Sequence, residues 1–123
     1  MNDSFPTAMH IAVVLEIHDR LLPALQRMAQ VLEEKATASI HVIKIGRTHL
    51  QDETSVTTGQ EFSALAAQVR LGIQYVQNTL PHLYALAQGG TAVGTGLNAP
   101  LALGSCLQKK SGPSQGILYL SLQ

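Results

Sequence analysis

The clearest hydrophobic pattern in the chain lies between Phe62 and Leu83. Phe62, Leu65, Val69, Ile73, Val76, Leu80 and Leu83 recur at steps of three and four. That period lays one apolar stripe along an α-helix and sustains it over three heptads. It predicts a long helix beginning near Thr57, roughly 45 Å of it at 1.5 Å rise per residue. A lone helix cannot bury such a stripe, so partner helices are required. Pro81 should bend the last turns, and Gly89-Gly90 suits a left-handed C-terminal cap. Nearer the start, Asn2-Asp3-Ser4 supplies helix-capping side chains, and Pro6 is tolerated in a first turn. The helix then runs through Ala8, Ile11, Ala12 and Leu15. Pro23 crowds the carbonyl of Asp19 and predicts a kink near Arg20 to Leu22. Leu25, Met28, Ala29 and Leu32 mark a second helical face that frays around Thr37 to Ser39. Ile40 to Ile45 is rich in β-branched residues and reads as a short extended segment, with the chain turning at Gly46. Leu101 to Gln123 has no helical period and no convincing element.

Composition narrows the class. The chain has 123 residues, enough for one small domain, with 46% hydrophobic and 13% charged residues and a formal net charge of zero. No basic footprint for nucleic acid or for a membrane surface emerges. The single cysteine, Cys106, excludes an internal disulfide and fits a reducing compartment. No leader and no apolar run of membrane-spanning length is evident, so a cytoplasmic location is expected.

Candidate chemistry concentrates in Lys44-Ile45-Gly46-Arg47-Thr48-His49-Leu50-Gln51-Asp52. An imidazole can move a proton or orient a water near neutrality. The neighbouring Thr48 hydroxyl can bind a carboxylate oxygen, and Arg47 or Lys44 adds positive charge; the same residues also suit an ordinary polar loop. Other motifs carry less. Gly94-Thr95-Gly96-Leu97-Asn98-Ala99 formally matches a dinucleotide fingerprint, but it leaves a helix where that fingerprint leaves a strand. His10 and His18 are eight apart, about 80° around a helix, with no i,i+4 pair for a metal. His82 reads as a solvated or capping residue, and Glu33-Glu34-Lys35 as a solvated face.

Three blocks resemble a known family. They are Asn2-Asp3-Ser4-Phe5-Pro6-Thr7-Ala8-Met9-His10; Lys44 to Asp52 with Thr57, Gly59, Gln60 and Glu61; and Leu80-Pro81-His82 followed by Gly89 to Asn98. In this order they resemble class II fumarate hydratase of the aspartase/fumarase superfamily. His49 favours fumarase over aspartase, which typically has Gln there. Glu53, Ser55 and Thr58 stand where the family has Ala, Pro and Leu.

The resemblance implies an all-α fold, a fragment of a long-helix bundle, and reversible hydration of fumarate to L-malate in the tricarboxylic acid cycle. It implies a homotetramer whose sites each draw on three subunits. No cofactor, metal, nucleic acid or membrane is implied. Carried over, His49 takes an acid/base role through a water, while Asn2 and Thr48 bind substrate carboxylate. Residues 1–100 are expected to be part of the central helical domain. Residues 101–123 are expected to be a disordered tail outside the family pattern, produced by a frameshift near Ala99 to Leu101, with Met1 an internal start. Such a fragment is expected to be inactive alone. The rival from a different class is a non-catalytic helical assembly module.

Overall fold

The computed structural model describes residues 4–87, 91–93, 95, 97, 98 and 100, and the backbone of 120 and 121. The chain order is α1 (Ser4–Glu16), a π-helical turn (Ile17–Leu21), α2 (Leu22–Ala38), β1 (Ile43–Thr48), β2 (Gln51–Thr57), α3 (Thr58–Leu83), β3 (Ala85–Leu86) and β4 (Leu120–Ser121). The helical architecture is as the periodicity predicts, with an antiparallel hairpin added to it.

The chain divides into two compact units, Met1–Asp19 with Asn78–Gln123, and Arg20–Gln77. In the first, Val14 is wholly buried and Leu80 and Leu86 nearly so. The core of α1 is therefore Val14, with Ile11 and Leu15 half-buried, whereas Ala8 and Ala12 of the expected stripe face outward. His10 Nδ1 lies 3.1 Å from the Leu83 carbonyl oxygen, which can only accept, so the ring donates from Nδ1. His18 Nε2 meets the Tyr84 hydroxyl at 3.1 Å. Both histidines thus secure the end of α3, a role that their spacing in sequence did not suggest. That end comes at Leu83, six residues before Gly89. Pro81 removes one ladder hydrogen bond in the last turn, and Ala85–Leu86 leave the helix to pair in parallel with Leu120–Ser121. The tail region therefore contributes one short strand that has no periodic signal. Asn2, Gly89, Gly90, Gly94, Gly96, Ala99, Cys106, Lys109 and Lys110 lie outside the described residues.

In the second unit, Pro23 sits in the first turn of α2. The helix absorbs it by widening into the π turn at Ile17–Leu21, slightly ahead of the expected break, so that the chain is not interrupted. Leu22 and Ala29 are buried, while Met28 is half exposed. On the part of α3 in this unit the inward line is Phe62, Ala66, Val69, Ile73 and Val76, with Ala66 buried and the others half-buried. Ala66 takes the place expected for Leu65, which is 46% exposed. Alanine allows close approach where leucine would hold a neighbour off, and this substitution in the stripe keeps the alternating four-three step regular. Glu33 of α2 pairs with Arg70 of α3, so this part of the acidic face is tied down, not simply solvated.

Candidate functional site

The Lys44–Asp52 segment lies in the hairpin, and the structure corrects how it turns. Gly46 sits inside β1, where the register shifts between Ile45 and Arg47. This is a β-bulge, and a Cβ at Gly46 would come within 2.7 Å of the Thr54 carbonyl oxygen. The reversal itself is His49-Leu50, with φ of 49° and 62°. Both residues are left-handed, as in a two-residue type I′ turn. Neither is the Asn or Gly that such turns favour, and non-glycine residues there cost about 1–3 kcal/mol each. The chain thus turns beyond Gly46, at a His-Leu pair that carries no turn signal of its own.

The bulge also sets which side chains share a face. Thr48 pairs with Gln51 and Arg47 with Asp52 beyond it, whereas Ile45 pairs with Ser55 and Ile43 with Thr57 before it. The extra residue is in β2, where Glu53 and Thr54 stand against the single Gly46, so alternation is kept along β1 and broken in β2, and Lys44, Thr48, Gln51, Glu53 and Val56 fall on one face. Ile43, Ile45, Arg47, Asp52, Ser55 and Thr57 fall on the other. Without the extra residue, Thr48 would pair with Asp52 in place of Gln51, and Glu53 would fall on the opposite face.

The polar groups of the segment are engaged within the chain. Lys44 Nζ donates to both carboxylate oxygens of Glu61 at 2.8 and 2.9 Å. Arg47 Nε donates to Asp52 Oδ1 at 2.9 Å. Thr48 Oγ1 donates to Glu53 Oε1 at 3.0 Å. The positive charge expected from Lys44 and Arg47 is therefore offset locally. His49 stands at the exposed tip between strands, and Leu50 beside it is fully exposed. Ile43 and Ile45, on the face opposite Thr48, are 73% and 51% exposed. Among the described residues no group of three or more His, Cys, Asp or Glu could hold a metal ion.

The base of the hairpin is closed. Thr57 Oγ1 accepts from the Gln60 amide at 3.1 Å, and Gln60 Oε1 accepts from the Thr57 amide at 2.9 Å, a reciprocal cap on α3. The amides of Thr58 and Gly59 go to the Val42 and Ser39 carbonyls at 2.9 and 3.0 Å. With its first amides taken, this helix end does not offer an anion site. The Thr57-x-x-Gln60 spacing is the sequence signal for that cap, and Glu61 is the partner that charge reading of the segment overlooks.

The family described as Lyase matches residues 1–114. The chain belongs to this lyase family. Among its relatives, a mitochondrial fumarate hydratase from Rhizopus oryzae is 62% identical over 97 residues, 79% of this chain and 20% of that protein. A class II fumarate hydratase from Rhizobium meliloti (strain 1021) is 52% identical over 120 residues, 98% of this chain and 26% of that protein. The fold of this lyase chain is similar to that of a recombinant class II fumarase from Schistosoma mansoni, with a TM-score of 0.82 and 39% identity over 87% of this chain and 22% of that one. It is also similar to a fumarate lyase:delta crystallin from Brucella melitensis, with a TM-score of 0.81 and 34% identity over 97% of this chain and 25% of that one. The chain thus spans 20% to 26% of the length of these curated relatives. Of the three residues singled out from sequence, Thr48 and His49 are adjacent at the hairpin tip, and Asn2 lies outside the described residues. No described helix is long and apolar enough to cross a membrane.

Proposed function

We propose that this chain is part of a class II fumarate hydratase and carries one portion of its active site, the Thr48-His49 tip. The observation that carries the reading is 50–62% identity to curated fumarate hydratases, among them those of the two relatives described above. The geometry supports it: a short, strained turn on a helix-anchored hairpin holds an imidazole and a hydroxyl side by side in the open. The reaction removes a proton from the carbon beside a carboxylate, and the developing dianion needs fixed donors. In this reading His49 moves that proton through a water, while Thr48 and Asn2 hold substrate carboxylate. The remaining donors come from segments beyond this chain. Assembly into a homotetramer, a cytoplasmic location and service in the tricarboxylic acid cycle belong to the same proposal. The exposed isoleucines of the hairpin and the half-buried stripe of α3 support the need for further helices.

The purified chain is expected to hydrate no fumarate above background, because residues that act as a unit fail when members are missing. A chimera tests competence directly: this chain replaces the matching part of the Rhizopus oryzae relative, and fumarate hydration is measured. Activity that disappears in His49→Asn supports the reading. A folded, inactive chimera overturns it and leaves the assembly module. The proposed boundary near Pro100, with a frameshifted tail beyond, is read from the gene: stop codons in the shifted frame would end that idea.

A further inference from the structure

The geometry points to Glu53 as an internal carboxylate that competes with substrate for the Thr48 hydroxyl; this rests on the reading of Thr48 as a carboxylate ligand. A threonine hydroxyl has one hydrogen to donate. That hydrogen is given to Glu53 Oε1 at 3.0 Å. An incoming carboxylate oxygen asks for the same bond, so the two acceptors exclude one another. Glu53 reaches the hydroxyl because the β2 bulge opposite Gly46 puts positions 48 and 53 on one face, diagonal across the two strands. Shift the register by one residue and Thr48 would look away from Glu53.

The charge balance adds to the competition. Lys44 and Arg47 are matched by Glu61 and Asp52. Glu53 is the third carboxylate against two cations in this cluster, and it meets a dianion with like charge. Its effect is therefore twofold: it occupies the donor, and it repels the ligand. Protein flexibility lets Glu53 swing off, since the contact is exposed. Binding is weakened by it, not abolished. Glu53 is in this sense a specificity-determining residue: it selects against dicarboxylates that cannot displace it and sets the ligand level at which the Thr48 donor is released.

The test is a fumarate titration of the full 123-residue chain, followed by the amide resonances of Thr48 and His49. Chloride at matched ionic strength is the control. Glu53→Ala is expected to tighten fumarate binding about tenfold, the size of one like-charge contact near a surface plus a released donor. Glu53→Gln keeps the length and removes the charge, and is expected to give a smaller gain. Thr48→Val should erase both gains. Equal affinity in the native chain and Glu53→Ala, with binding still lost in Thr48→Val, overturns the role of Glu53 and keeps Thr48 as a ligand. Perturbation of neither residue by fumarate in any variant overturns both. Retained hairpin amide shifts in Glu53→Gln separate a loss of competition from a loss of fold.

Discussion

The base and the tip of the hairpin solve opposite problems with the same residue types. At the base, the first three amides of α3 are all taken, two by backbone carbonyls and one by Thr57. Gly59 there is buried and touches the backbone of Ala36 and Ile40. At the tip, two residues hold left-handed angles that suit glycine better, and Leu50 is bare to solvent. Saturation at the base makes strain at the tip affordable. A two-stranded hairpin is marginal by itself, so the ladder must be pinned to the helices for a strained turn to keep its shape.

The largest break in this contrast should come from Gly59→Ala. Its Cβ would lie 2.5 Å from the Ala36 carbonyl oxygen and 2.6 Å from the Ile40 Cα. Backbone atoms cannot swing aside as a side-chain end can, so α3 must shift off the end of α2. A loss of about 3 kcal/mol is expected in urea unfolding, the upper range for overpacking. Loss of protection at the Thr58 and Gly59 amides should accompany it. A loss well below 1 kcal/mol would show that the base is not the anchor.

Gly46→Ala should act one step outward and cost less, about 2 kcal/mol. The intruding Cβ meets the Thr54 carbonyl oxygen, and the hairpin can respond by losing its bulge. If it does, Thr48 exchanges Gln51 for Asp52 as its partner and Glu53 turns to the other face. Cross-strand proton contacts then distinguish the outcomes: contacts of Thr48 with Gln51 and Glu53 should disappear in the variant, and their persistence would show that the bulge does not depend on Gly46.

The sequence made the helices legible because their burial follows period and their breaks follow proline. Even so, Met28 and Leu65 are apolar yet half exposed, while Ala66, beside the apolar stripe, is buried. A period narrows the buried face to a sector but does not choose between neighbours at its edge, where tertiary packing decides. The chemistry of the tip was legible as residue types, and Thr48 and His49 do lie together. Its geometry was not. A bulge depends on how two strands pair, and a type I′ turn at His49-Leu50 runs against local preference, so tertiary pinning overrides it. The end of α3 was misjudged for a related reason: Pro81 and a distant strand partner for Ala85 act before the glycines do.

A third, smaller effect tests the cap. Thr57→Ala removes the acceptor for the Gln60 amide and should cost about 1 kcal/mol. Gln60 has a second half of the bargain through its own side chain, so Gln60→Ala should cost a similar amount, and the double variant less than the sum, since either change breaks the reciprocal box. Strict additivity in denaturation would show that the two bonds act independently.

Leu50→Gly should have the smallest effect and the opposite sign. The residue holds φ of 62°, where a leucine Cβ crowds its own carbonyl and glycine does not. Its side chain is fully exposed, so no packing is lost with it. Against the relieved strain stands the greater freedom that glycine gives the unfolded chain, which takes back part of the gain. The net is an expected stabilisation of the hairpin by about 0.5 kcal/mol, visible as slower exchange at the β1 and β2 amides and invisible in global unfolding. His49→Gly would relieve similar strain but delete the imidazole, so Leu50→Gly isolates the conformational part. Faster exchange in Leu50→Gly would mean that the left-handed turn is held by more than the base pins, and that the tip contributes its own stability.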